Sequence, residues 1–372
     1  MTELAASVLR NARLRWRQLL LVYVLAVGVL AGSAYTMYVH FDFSHSPDTR
    51  SYLRMARGEF EGVRVTHRYR VVVPLAAAAV AWPVEKVYVR LWPQRASNEW
   101  PLRLAFYLVN TALLAGAGLL MFRTCLFYGA SPGAAAVALV AVLTSRWAVY
   151  IAGLPLVDSL YMLVFALALY AVRSGSVPAL VACIVLGPHA KESFVFLAPW
   201  LLLFGQRTLR WPAQAALLAV SAGLAYGVRH WVDAQVGAPP QESVNNALEH
   251  LENLGYSLRR MFSIKGVGEL FSIFGFFWLV LLAGLRGGSA MRQRWFGLLG
   301  WPELGLAAVV LVHMLLSGDL GRMGYLAAPA FAAALSLVIT YHPAFAWLRL
   351  SLATDAPLVE SGAPRPETAQ AR

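Results

Sequence analysis

Apolar runs of about 17–22 residues recur from Leu19 to Tyr341, and that length matches the roughly 30 Å hydrocarbon core of a bilayer. With the N-terminus inside, the pattern predicts spans at about 18–38, 99–122, 133–152, 156–173, 177–188, 192–205, 212–230, 268–286, 299–317 and 323–341. The expected fold is therefore all-α, a polytopic transmembrane helical bundle of about ten spans in one domain over residues 1–350. The two shortest runs, 177–188 and 192–205, also read as one hairpin with a broken helix.

Two segments interrupt the series on the outer side, 39–98 and 231–267. The first holds residues 41–70, with two aspartates, two glutamates, six arginines and two histidines. The second part of that loop, 71–93, begins apolar and then carries Glu85, Lys86 and Arg90 among Trp and Tyr, so it is expected to lie at the outer interface. Counting it as a span would invert the sidedness of everything downstream. The tail 351–372 is rich in Pro, Ala and Glu without apolar periodicity, and is expected to be a disordered cytoplasmic segment.

Composition agrees with the pattern. Of 372 residues, 59% are hydrophobic and only 13% charged, where soluble domains run at about 25% charged. The net charge of +12 is spread over short loops, which fits the positive-inside rule and gives no basic patch for nucleic acid. Each predicted inside loop carries arginine: Arg123, Arg173, Arg207 with Arg210, Arg286 with Arg292 and Arg294, and Arg349. Both termini are thus expected in the cytoplasm. Arg10, Arg13, Arg15 and Arg17 precede a first span too long for a signal-peptide core, which reads as a retained anchor. Basic residues are almost all Arg, and with the Ala richness this points to a GC-rich bacterial genome and a plasma-membrane location. Cys125 and Cys183 read as buried apolar residues, and no metal-binding Cys/His signature occurs.

On this topology the ionisable residues near span ends gather on the outer side: Asp42, Asp48, Arg68, Arg70, Arg103, Arg146, Asp158, His189, Lys191, Glu192, Asp319 and Arg322. Charges at membrane depth are costly, so their convergence marks a candidate site. Ser46-Pro47 is a helix start that places Asp48, Tyr52 and Ala56 on one face before Gly58, and Asp48 alone would also suit the helix dipole. Asp42 competes with it. Arg68 and Arg70 suit a lipid phosphate or simple headgroup anchoring. Asp158 either lines a cavity or caps its helix, Lys191 and Glu192 either act or pair with each other, and Asp319 and Arg322 carry the same two readings.

Asp48…Tyr52…Ala56…Gly58, then Tyr69-Arg70…Pro74, resembles the first outer loop of GT-C-type integral-membrane glycosyltransferases. Pro155…Asp158, His189…Glu192 and Asp319…Arg322…Pro329 are similar to features of bacterial members. The resemblance implies sugar transfer from a polyprenyl-phosphate carrier to a glycan, lipid or protein acceptor at the outer face, usually with inversion. It implies a first-loop carboxylate as general base, Asp48 or Asp42, and Arg322, Arg70 and Lys191 stabilising the leaving phosphate. Tyr52, Arg68, Asp158, His189, Glu192 and Asp319 complete the implied substrate site. The family's acidic pair is not intact, since Thr49 follows Asp48, so a divalent metal stays an open element of the expectation. A transporter or flippase of lipid-linked saccharides would show inverted repeats and broken helices with midplane polar groups. A polymerase or ligase would centre on a late outer loop such as 231–267, with His250, Arg259 and Arg260.

Overall fold

The computed structural model describes residues 16–42, 46–96, 99–236, 242–286, 288, 295 and 298–348. The expected tail at 351–372 lies outside the described residues. Among the described residues the chain is helical, without strands.

The principal helices are α1 (Trp16–His40), α2 (Pro47–Ala56), α3 (Val65–Arg68), α4 (Val72–Leu91), α5 (Trp100–Phe127), α6 (Pro132–Leu143), α7 (Arg146–Gly153), α8 (Asp158–Ser174) and α9 (Val177–Ala190). They continue as α10 (Ala198–Phe204), α11 (Trp211–Val236), α12 (Glu242–Met261), α13 (Ile264–Phe274), α14 (Phe277–Leu285), α15 (Trp301–Ser317), α16 (Leu320–Gly324) and α17 (Ala328–Tyr341). Local chemistry sets many of the boundaries. Side chains of Ser131, Ser145, Ser176, Ser263 and Asp319 accept the first orphan amides of α6, α7, α9, α13 and α16. Gly175 and Gly318 end α8 and α15 in the left-handed region, at φ 69° and 72°.

Helix α8 is the axis of the core, buried almost throughout, and packs on α5 and α9. Helix α17 is similarly buried, against α6 and α5. The outer helices invert the soluble pattern: Leu20, Leu21, Val24 and Leu25 of α1, and Val220, Leu224 and Tyr226 of α11, are exposed. Apolar outer faces of this extent suit lipid rather than water.

Five helices are apolar and long enough to cross a membrane, over Trp16–His40, Val72–Leu91, Trp100–Phe127, Trp211–Val236 and Leu320–Tyr341. Two broken pairs bring the number to seven: α6 with α7, bent by 62°, and α13 with α14, bent by 88°. The sequence reading expects about ten. The expected span at 192–205 is instead a 3₁₀ turn, Glu192–Phe196, followed by the seven-residue α10. Seven residues at about 1.5 Å each cannot cross a hydrocarbon core. The expected spans at 177–188 and 299–317 appear as helices of 14 and 17 residues.

Helix α4 was expected along the interface, yet its length and composition also satisfy a span. Its buried residues are Val73, Pro74, Ala77 and Ala81, and it packs chiefly on α5. Its two ends have different neighbours. Arg70, just before it, reaches Tyr52 of α2, and Tyr88 near its far end lies beside Tyr38 on the last turn of α1.

The two breaks are fastened to each other. Ser145, between α6 and α7, donates its hydroxyl to the carbonyl of Ile273, at the end of α13.

Candidate functional site

The ionisable residues of five separated segments meet in one cluster. Asp48, on the first turn of α2, accepts from Arg322 Nη1 at 2.9 Å through Oδ2. Its Oδ1 lies 3.4 Å from Nε2 of His67 on α3. Arg322, on α16, also lies 3.5 Å from Oδ2 of Asp158, the first residue of α8. Its Nε lies 3.1 Å from Asp319 Oδ2, although without hydrogen-bond alignment, while Asp319 caps the Arg322 amide through Oδ1. Lys191 Nζ donates to Asp158 Oδ1 at 3.4 Å and contacts Met323 Sδ at 3.2 Å. Arg70 donates through Nε and Nη2 to Glu192 Oε2, at 3.1 and 3.0 Å, and through Nη1 to the Tyr52 hydroxyl at 3.1 Å.

Close packing fixes these positions. A Cβ at Gly321, beside Arg322, would run into the Trp147 ring, and one at Gly187 would run into the ring of Phe194, two residues beyond Glu192. Only glycine lets these turns seat against their neighbours. Tyr52 is buried, with its ring against that of His67 at 5.4 Å.

Electrostatics follows from burial and neighbours. Burial alone would raise the Asp48 carboxyl, yet Arg322 and then His67 hold it below the usual carboxylate range. Burial brings His67 down to about 4, against the pull of Asp48, so the ring is neutral at pH 7. Its Nε2 faces a carboxylate and its buried Nδ1 has no partner, which places the proton on Nε2. Burial also brings Lys191 down to about 8, outweighing Asp158. Glu192 is held low because Arg70 outweighs its burial. With His67 neutral, the cluster sets four carboxylates against three cations.

Of the residues singled out in the sequence, Asp48, Tyr52, Arg70, Asp158, Lys191, Glu192, Asp319 and Arg322 share this cluster. Asp42, Arg68, Arg103, Arg146 and His189 do not. Asp42 lines a separate cavity on the α1 side. Arg68 turns away to the Val63 carbonyl and lies 3.8 Å from Asp233 of α11. His189 sits half-buried on the last turn of α9, outside the contacts of the cluster. The reading of Lys191 and Glu192 as a mutual pair is replaced by two longer-range pairs, with Asp158 and Arg70. Asp319 and Arg322 do form the local pair, and Arg322 reaches Asp48 as well.

His67 is the member that residue-by-residue reading passed over, although it stands beside Arg68 in the same short helix. A second polar knot, Tyr128–Arg173–Glu303, was also missed. Its three side chains hydrogen-bond one another where the C-terminal ends of α5 and α8 meet the start of α15.

A resident divalent metal does not fit the cluster. Each of its carboxylates is already paired with a guanidinium or ammonium, and among the described residues no group of three or more His, Cys, Asp or Glu is arranged to hold one. No family model, curated protein or solved structure matches the chain.

Proposed function

We propose that the protein is a membrane glycosyltransferase of GT-C type that moves a sugar from a polyprenyl-phosphate carrier to an acceptor hydroxyl at the outer face of a bacterial plasma membrane. The observation that carries the reading is the meeting of a first-loop carboxylate, Asp48, with Arg322 and Lys191 from distant segments and Arg70 from the end of the same loop, at one buried cluster. In this reading the acceptor oxygen attacks the anomeric carbon, the bond to the carrier phosphate breaks, and Asp48 takes the hydroxyl proton. General-base assistance of this kind contributes about 10²–10⁴ in rate.

The cluster as it stands has its cations engaged. A donor phosphate would draw Arg322 from Asp48, and the carboxylate so freed becomes a stronger base. Lys191 and Arg70 would share the charge that develops on the leaving phosphate.

One observation favours a second reading, a transporter of lipid-linked saccharides. Broken spans are a feature of transporter folds, and the chain has two, bent by 62° and 88°.

Purified protein supplied with a panel of synthetic polyprenyl-phosphate sugars decides between them. Transfer from one donor, lost in Asp48→Asn and kept in Asp42→Asn, supports the enzyme and its base. Binding without turnover, together with donor movement across reconstituted vesicles, supports the transporter.

A further inference from the structure

A cavity of mixed polar and apolar lining lies on the other flank of α2. It has a volume of about 510 Å³, within the range of small-ligand sites, and its walls come from three elements. His40, Phe41 and Asp42 close it from the end of α1, Arg50, Leu53 and Arg54 from α2, and Glu99 and Arg103 from the start of α5.

Its cations are not equivalent. Arg54 spends its guanidinium on the loop that follows, donating to the Glu61 carbonyl at 2.6 Å. Arg103 is held in place: Nη2 caps the Tyr38 carbonyl at 2.8 Å, and the guanidinium lies 4.6 Å from the Trp100 ring centroid. Among the described residues the Arg50 side chain makes no hydrogen bond or ion pair, and the residue is exposed. The cavity therefore presents one anchored guanidinium and one unengaged guanidinium. Glu99 already has a cation of its own, Arg57 at 3.2 Å.

The surroundings name the kind of molecule that suits it. The cavity sits between the ends of two membrane-length helices, α1 and α5, and exposed Tyr35 and Leu108 lie on those helices just beyond it. A guanidinium pair matches phosphate oxygens, and basic pockets between membrane helices take phosphorylated headgroups.

We infer that this cavity binds the phosphate of a phospholipid headgroup, with the acyl chains running along α1 and α5. The site is separate from the Asp48 cluster and does not depend on the glycosyltransferase reading.

Native mass spectrometry of the delipidated full-length protein, titrated with phosphatidylglycerol or phosphatidylethanolamine, tests it, with inorganic phosphate titrated calorimetrically as the second arm. Arg50→Gln is the informative variant, because Arg50 holds no partner whose loss would unfold the loop. The expected result is saturable binding of phospholipid that weakens at least fivefold in Arg50→Gln, with inorganic phosphate far weaker than lipid. Equal binding by wild type and variant overturns the site. Inorganic phosphate binding as tightly as phospholipid overturns the lipid assignment.

Discussion

Replacing Arg322 by methionine removes a guanidinium that three carboxylates share. Asp158, with a side chain only 6% exposed, keeps Lys191 at 3.4 Å, while Asp48, 25% exposed, keeps only the N–H of His67. Breaking a buried ion pair from one side costs about 3–5 kcal/mol, mainly because the abandoned charge stays out of water. The partial exposure of Asp48 and Asp319 and the surviving Lys191 pair place the expected loss near the lower limit, about 3 kcal/mol. Adding Asp48→Asn to Arg322→Met takes away the stranded charge and leaves the Asp158–Lys191 pair intact, so the double variant should recover about half of that loss. Denaturant titration in mixed micelles, followed by tryptophan fluorescence with Trp147 packed beside Gly321, reads the three proteins on one scale. A cost below about 1 kcal/mol for the single change, or a double variant no more stable than the single one, would refute the reasoning.

The other tests are shorter. Stability should decline as pH falls from about 6.5 toward about 4, because the unfolded chain binds a proton there that buried His67 refuses; the size is about 3 kcal/mol, and His67→Gln should flatten that limb of a pH-dependent denaturation series. In the transfer assay, rate should drop above about pH 8 as Lys191 loses its proton and Asp158 turns to Arg322 alone, and Lys191→Arg should move that limb upward; an unmoved limb assigns the loss to another group. Gly321→Ala should cost about 1–3 kcal/mol, since its methyl must displace the Trp147 ring, and a neutral result in a thermal melt would show that the ring gives way freely. Glu303→Gln should lower stability by about 1–3 kcal/mol through the loss of its charge-assisted bonds to Arg173, with Asp48-dependent activity per folded molecule unchanged.

Most members of the cluster were legible in the sequence because charge beside an apolar span needs compensation, and seven residues chosen on that ground do meet. Their partners were not legible. Lys191 and Glu192 are adjacent in sequence, but the extended backbone at Lys191, φ −164° and ψ 142°, sends them to different partners. Nor could the choice between Asp42 and Asp48 be read from the chain, since both follow α1 within one loop and only the seating of α2 separates them. His67 carried no signal beyond its type, because its role rests on the distance to Asp48. The helical class was read directly from apolar run length. The number of spans was not, because hydropathy gives the length of an apolar run and not the point where a proline or glycine breaks it, as at Pro199 and Gly275.

The fastening of the two broken spans has a consequence for how the bundle opens. Helix breaks free backbone groups and are natural hinges, and a bundle with two of them would ordinarily have two independent local openings. Here the carbonyl of Ile273 at one break is held by the hydroxyl of Ser145 at the other, so parting either requires releasing the other. Deuterium uptake around residues 142–149 and 270–278 should therefore rise in step, as one opening event, in the intact protein. In Ser145→Ala that event should divide into two, each with its own free energy.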